Sequence, residues 1–225
     1  MSTQTEIAAT GEKYTTHLKT QNMSFLKMYR YLRDRGIKNN KFFLRLYDES
    51  LATVNPHSAR LTPVQKTKIL AEITKNPYYY LREIVKIPIP GGLASFELHP
   101  GNLAITWALI NNLDQIALLP RQRYKTVSIA ATLTWVYDFG TKNTHMLFGN
   151  KSLGDSKNNL RRFKEIRENI PQFLRETINT PGLDVDNMES VKSEKTRNKI
   201  DTVGQPTNED AADKQGYCMA LYKYL

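Results

Sequence analysis

The sequence predicts an α/β fold, a parallel sheet flanked by helices, with an all-helical appendage on its N-terminal side. Three observations predict it. Residues 115–119 (QIALL) form a short apolar run typical of a strand buried on both faces, and residues 144–149 (THMLFG) read as a second short strand. Each is followed by a segment with helical spacing of apolar residues, 125–138 and 152–168. Upstream of residue 90 the apolar period is that of helices alone. A strand–helix–strand–helix order implies parallel strands joined by right-handed crossovers.

Residues 1–22 are rich in Thr, Gln and Lys without an apolar period, and read as a mobile tail. The helical subdomain is expected over 23–90. Phe25, Met28, Tyr29 and Leu32 share one helix face, and Gly36 ends that helix. The basic residues Lys27, Arg30, Arg33 and Arg35 lie off the apolar stripe and read as a solvated face. Phe42, Phe43, Leu46 and Tyr47 repeat the spacing for a second short helix. Thr62-Pro63 pairs a hydroxyl N-cap with proline at the first helical position, starting a helix that runs to about residue 74. Asn76-Pro77 stops it and begins another, with Tyr78, Leu81 and Val85 inward. IPIPGG, residues 87–92, reads as an extended, turn-rich connector and marks the boundary to a core over 91–225.

Within that core, residues 103–112 read as a helix, 125–138 as a helix with Ile129, Leu133 and Val136 inward, and 152–168 as a polar helix with Leu160, Phe163 and Ile166 inward. A short strand is expected near 199–203, a short helix capped by Thr207 over 209–214, and a last strand over 217–225.

Composition bounds the function. The formal net charge of +10 favours anionic partners such as nucleic acid or phosphates. One cysteine, Cys218, excludes an intrachain disulfide and a multi-cysteine zinc site. The polar N-terminus lacks the apolar region of a secretory signal, and no apolar stretch is long enough to span a membrane. The expectation is a cytoplasmic protein without membrane contact.

The segment that carries chemistry is QIALLPRQRYKTVSIAATLTW, residues 115–135. A strand running through a turn into Lys-Thr and a helix is the layout of a phosphate-binding P-loop. Amides at a helix N-terminus point toward an anion, a lysine supplies charge to the β- and γ-phosphates, and the next hydroxyl ligates Mg²⁺. The pattern G-x-x-x-x-G-K-[ST] is broken twice, with Leu119 and Tyr124 at the glycine positions. A side chain at 124 can crowd the phosphates or strain the loop. The alternative is an ordinary helix beginning with an exposed lysine.

Pro120-Arg121-Gln122-Arg123-Tyr124-Lys125-Thr126 resembles the deviant Walker A motif of tailed-phage terminase large subunits. NPYYYLREIVKIPIPGG and FELHPGNLAITWALIN upstream, MLFGNKSLGDSKNNLRRFKEIRENIPQFLRE downstream and the later IDTVGQPTNEDAADKQGY are similar to the segments around it, covering roughly residues 75–220. The resemblance implies an incomplete P-loop NTPase-type core binding ATP and Mg²⁺ through residues 120–126. It implies that Lys125 contacts the β- and γ-phosphates, that Thr126 binds Mg²⁺, and that Arg121 stabilises the γ-phosphate, for which its fork of donors suits it. Gln122 matches the motif glutamine. Asn102 lies where the family has an adenine-reading glutamine; it serves equally as the N-cap of the 103–112 helix. The implied partners are double-stranded DNA, a portal protein and a small terminase subunit, in the cytoplasm of a host. In such a motor, hydrolysis drives DNA into a procapsid.

The family's Walker B Asp-Glu follows an apolar strand. Here YCMALYKYL is the candidate strand and no Asp-Glu follows it, and the nuclease domain is absent. The expectation is an N-terminal fragment of such a motor, hydrolysing ATP poorly or not at all alone, with another chain as one place for its missing half. The competing expectation is a non-enzymatic basic α/β module that binds nucleic acid or a protein. Lys157, Arg161, Arg162, Lys164 and Arg167 fit DNA phosphates or, with Glu165 and Glu168 among them, a solvated face. Tyr78, Tyr79 and Tyr80 fit base stacking or packing of the appendage on the core. The four histidines lack metal-ligand spacing.

Overall fold

The structure, a computed structural model, describes residues 5–7, 13–118, 124–150, 152–204 and 219–223, the first and last of these by backbone alone. The described chain is mixed α/β, with seven helices and three sheets. No helix among the described residues is long and apolar enough to cross a membrane.

β1 (Thr5–Ile7) and β2 (Lys13–Thr16) pair antiparallel, and β2 pairs with β3 (Arg45–Leu46). The expected mobile tail is therefore corrected for residues 13–22. Tyr14, Thr15, His17, Thr20 and Asn22 are buried there. The reason is a polar network invisible in the local pattern. The buried Arg82 guanidinium donates to the Phe43 carbonyl (2.6 Å), the Arg45 carbonyl (3.3 Å), Glu83 (2.8 Å) and His17 Nδ1 (3.2 Å). His17 Nε2–H donates to the Ala52 carbonyl (3.1 Å), and Thr20 donates to Glu83 (2.7 Å). A buried cation needs such partners, and the arm supplies His17 to it directly and Thr20 to its partner Glu83.

α1 (Met23–Asp34) starts where the Asn22 side chain accepts from the Ser24 amide, and buries Phe25 and Met28. Gly36 closes it at positive φ, where its amide bonds the Arg33 carbonyl and that of Ile37 bonds Leu32, as the glycine signal requires. The Phe42–Leu44 segment is one tight 3₁₀ turn instead of an α-helix, leading into β3. α2 (Pro63–Lys75) has the expected capping, with Thr62 and Gln65 satisfying each other's amides. α3 (Pro77–Tyr79) starts at the Asn76 cap and widens into a π-type turn over Tyr80–Ile84. The connector over 86–95 is a β-hairpin, β4 (Lys86–Ile89) against β5 (Gly92–Ser95), turning at positive-φ Gly91 and Gly92.

α4 (Pro100–Ile110) and α5 (Lys125–Trp135) pack together, and α5 ends in a second π-type turn over Val136–Gly140. α6 (Leu153–Glu168) follows β6 (Thr144–Asn150) and lies against both β6 and β9 (Lys199–Gly204), which are parallel. α7 (Gln172–Ile178), β7 (Val185–Asp186) and β8 (Ser190–Lys192) lie between α6 and β9, and β10 (Met219–Lys223) pairs with β6. The large sheet runs β10-β6-β9-β8-β7.

This sheet is mixed, correcting the purely parallel expectation. β7, β8 and β9 are joined by connections too short for a crossover, so they must run antiparallel, and β10 is antiparallel to β6. The predicted strand at 115–119 is also corrected for its described part. Residues 113–118 form no strand, and Ile116 and Leu118 are 92% and 91% exposed. β6 already has β10 on one edge and β9 on the other, which leaves no edge of it for another strand. The Thr207-capped helix lies outside the described residues.

One hydrophobic core runs from Phe25 through Tyr80, Phe96, Tyr137 and Phe163 to Ile200, across the boundary expected near residue 90. Tyr80 carries the junction. Its hydroxyl donates to Thr134 (3.0 Å) and its ring meets Phe139 at 5.6 Å. Tyr78, Tyr79 and Tyr80 are thus packing residues.

Two predictions follow from this packing. A Cβ on Gly140 would stand 2.6 Å from the Trp135 ring, which is held by its Nε1–H bond to the Ile73 carbonyl (2.8 Å). Gly140→Ala should lower the unfolding free energy by about 1–3 kcal/mol in denaturant titration. The second concerns His17, whose ring faces Arg82, Glu83 and Lys19. Burial, then Arg82, holds its pKa below the ordinary imidazole value, with Glu83 opposing. The folded value lies below the unfolded one, so the neutral ring stabilises above about pH 6.5 and that contribution disappears as pH falls through the folded value. Relative to His17→Gln, the wild-type chain should lose stability between pH 7 and 5; parallel pH profiles would refute the assignment.

Candidate functional site

The helix start at Lys125 is the centre of the candidate site. α5 is buried along most of its length, with Ser128, Ala130, Ala131, Thr132, Leu133 and Thr134 inside. Such a helix must satisfy its polar side chains internally. Ser128 Oγ donates to the Tyr124 carbonyl (2.8 Å), Thr132 Oγ1 to Ser128 (2.8 Å) and Thr134 Oγ1 to Ala131 (2.7 Å), while Thr132 also meets Thr106 at 3.2 Å. These bonds hold the first turn in place and bring half-buried Lys125 and Thr126 to its open end.

Tyr124 precedes this turn at φ 54° and ψ 18°, in the left-handed region, and gives the helix no side-chain cap. A bulky residue there costs about 1–2 kcal/mol. The sequence departure at 124 therefore places a non-glycine residue in a strained backbone conformation. The ring, 54% exposed, stacks on His99 with centroids 5.8 Å apart and planes 22° apart. His99 in turn approaches Glu97 (3.2 Å). Neither His99 nor Glu97 stood out in the sequence, because nothing local signals a stack across 25 positions.

Asn102 is buried, and both ends of its amide are engaged. It accepts from the His99 amide and donates to the Glu97 carbonyl (2.6 Å). Its place is the third residue of α4, correcting the N-cap reading: the helix begins at Pro100, three residues earlier than the apolar period indicates. Its side chain caps the start of α4 from inside. Pro120, Arg121, Gln122 and Arg123, with Leu119, lie outside the described residues. Of the expected nucleotide-binding set, Tyr124, Lys125 and Thr126 stand together and Asn102 stands one stacked ring pair away, through His99.

A groove of about 460 Å³ opens between α1 and the β5–α4 connection, lined by Lys27, Met28, Tyr31, Glu97, Leu98 and His99 among others. It therefore reaches the ring that stacks on Tyr124. A second groove, about 370 Å³, is lined by charged residues of α6 and the β7–β8 hairpin.

The basic residues of α6 are mostly paired. Lys157 meets Glu189 (2.7 Å), Lys164 meets Asp186, and Arg161 meets Glu165 (3.8 Å). Arg167 lies inside and corrects its reading as a surface contact. Its Nε reaches both Asp138 oxygens at 3.0 Å and its guanidinium covers the Tyr137 ring. Burial, outweighing Arg167, pushes the Asp138 carboxyl up to about 6.

On β6 and β9, Asp201 sits between His145 (2.7 Å) and Lys199 (2.6 Å). Burial raises its pKa, but hydrogen bonds from Lys199, Ser190 and His145 prevail and hold it below the ordinary carboxylate value. A nucleophilic triad needs the imidazole between carboxylate and hydroxyl; here the carboxylate is in the middle, so the cluster ties strands together. Among the described residues no group of three or more His, Cys, Asp and Glu converges on a metal position.

For a phosphate group, the uncapped N-terminus of α5 behind a left-handed residue fits: such alternation points successive amides at an anion. For Mg²⁺, the described residues offer the Thr126 hydroxyl on the same turn. Comparison with protein-family models finds no match, and comparison with curated proteins finds none either.

The left-handed backbone at 124 is testable by substitution. Tyr124→Asn, which tolerates positive φ, should leave the melting temperature nearly unchanged, whereas Tyr124→Val should cost about 1–2 kcal/mol. Equal effects of the two would show that residue 124 is not held left-handed.

Proposed function

We propose that the chain is a nucleotide-binding part of a viral DNA-packaging motor, binding ATP with Mg²⁺ at the turn that opens α5. The observation that carries this reading is the left-handed Tyr124 directly before Lys125-Thr126 at an uncapped helix start. The glycine of the P-loop pattern is missing, yet the backbone is in the region glycine favours. The terminase-like run Pro120 to Thr126 supports the same reading. In it, Lys125 places its ammonium on the β- and γ-phosphates, Thr126 offers its hydroxyl to Mg²⁺, and Arg121 stabilises the γ-phosphate. Bound ATP-Mg²⁺ supplies the phosphoryl group whose transfer powers DNA movement. Double-stranded DNA, a portal protein and a small terminase subunit are its partners in this reading, and the host cytoplasm its location.

One observation favours a second reading, a non-enzymatic basic module. Residues 113–118 are unpaired, whereas a P-loop follows a strand held in the sheet. Nucleotide binding separates the two. Under the motor reading, millimolar ATP-Mg²⁺ raises the melting temperature of the wild-type chain and not of Lys125→Ala, since a ligand bound only to the folded state stabilises it by mass action. Absence of a shift at saturating nucleotide would leave the non-enzymatic module as the reading.

A further inference from the structure

The net positive charge is unevenly neutralised. α6 holds five basic residues, four of which have acidic partners on α5's following turn, on α6 itself or on the β7–β8 hairpin. α1 and the loop after it differ. Between Lys27 and Lys38 the chain carries Lys27, Arg30, Arg33, Arg35 and Lys38 against one acid, Asp34. All five are exposed, and Asp34 is taken by Arg33 (3.0 Å). Lys27, Arg30 and Lys38 have no acidic partner among the described residues.

We infer that the outer face of α1 and the following loop bind the phosphodiester backbone of a nucleic acid, without regard to base sequence. Lys27 and Arg30 lie one turn apart on the stripe opposite buried Phe25 and Met28, and the positive loop continues from the helix end. A row of unneutralised cations is what a polyphosphate rewards, through release of its condensed counterions. Tyr31 is exposed on the same stripe, and the Arg35 guanidinium lies 3.6 Å from its ring centre, a flat cationic platform of the kind that sugar–phosphate and base faces accept. The groove lined by Lys27 and Tyr31 borders this stripe and leads to His99 and Tyr124, so the surface adjoins the helix start that opens with Lys125. An anionic bilayer fits less well. Surface-bound amphipathic helices turn their apolar side to the lipid, and that side of α1 is sealed in the core.

The inference rests on the motor reading only in taking nucleic acid as the partner, and its test runs separately. Fluorescence anisotropy would follow a labelled, random-sequence 20-base-pair duplex binding to the full chain across a range of salt. Replacing Lys27, Arg30 and Lys38 together by Ala should weaken binding roughly tenfold or more and reduce the salt slope by about 3, near one per lost phosphate contact. Lys157→Ala with Arg161→Ala on α6 should leave both unchanged. The α1 substitutions are at exposed sites, and circular dichroism melting checks their folding; the single reversals Lys27→Glu and Arg30→Glu serve if the triple variant misfolds. Wild-type affinity and slope in the α1 variants, or binding to phosphatidylglycerol vesicles and not to the duplex, would overturn the inference. Duplex binding lost with the α1 charges, in a chain that shows no ATP shift, would sustain it while the motor reading fails.

Discussion

The burial of α5 is the constraint on which the rest of the structure depends. Packed against α4 and α6, with the π-type turn of Tyr80 on its C-terminal half, this helix leaves only its first turn open. Ser128, Thr132 and Thr134 cannot reach water, so they bond to carbonyls of the preceding turn and to Thr106 and Tyr80 on neighbouring elements. The result is a rigid rod whose N-terminal end, with Lys125 and Thr126, cannot shift without disturbing the core. A phosphate site gains from such pre-organisation, because the amides are aimed before the anion arrives.

A second constraint is how the fold distributes its charges. Arg82 is buried and Arg167 half-buried, and each is matched: Arg82 by Glu83 and backbone carbonyls, Arg167 by Asp138 and Asn179. Breaking either set would leave an uncompensated charge in the interior. The acids of the β7–β8 hairpin answer the lysines of α6. Lys27, Arg30 and Lys38, on α1 and the loop after it, have no acidic partner among the described residues, and Lys27 also lines the groove that reaches His99. The asymmetry comes from the fold, since in sequence α1 and α6 look equally basic.

Much of the helical framework was legible locally. Thr62-Pro63, Asn76-Pro77 and Gly36 act through their nearest neighbours, by capping, by a preset φ or by tolerance of the left-handed region, and each ends or begins a helix as read. β6, β9 and α6 were visible in apolar periodicity because each turns one side to a single core. The arm over 13–22 was not. Its order comes from Arg82 and Glu83, more than sixty residues away. Nor was the hairpin over 86–95, since two prolines and two glycines look alike in a connector and in a paired turn. The site was half legible: Lys125-Thr126 at a helix start could be read from the pattern, the Tyr124–His99 stack could not.

By itself the sequence determined an α/β chain with a strongly basic balance, the caps and breaks of its helices, and a Lys-Thr pair opening one of them, because these follow from composition and from interactions a few residues long. Only the tertiary structure decided which strands pair and in which direction, that 113–118 stays outside the sheet, that Asn102 caps α4, and which basic helix keeps its charge. Those outcomes depend on which distant groups compete for the same edge, amide or cation, and the linear order of residues does not specify the winner.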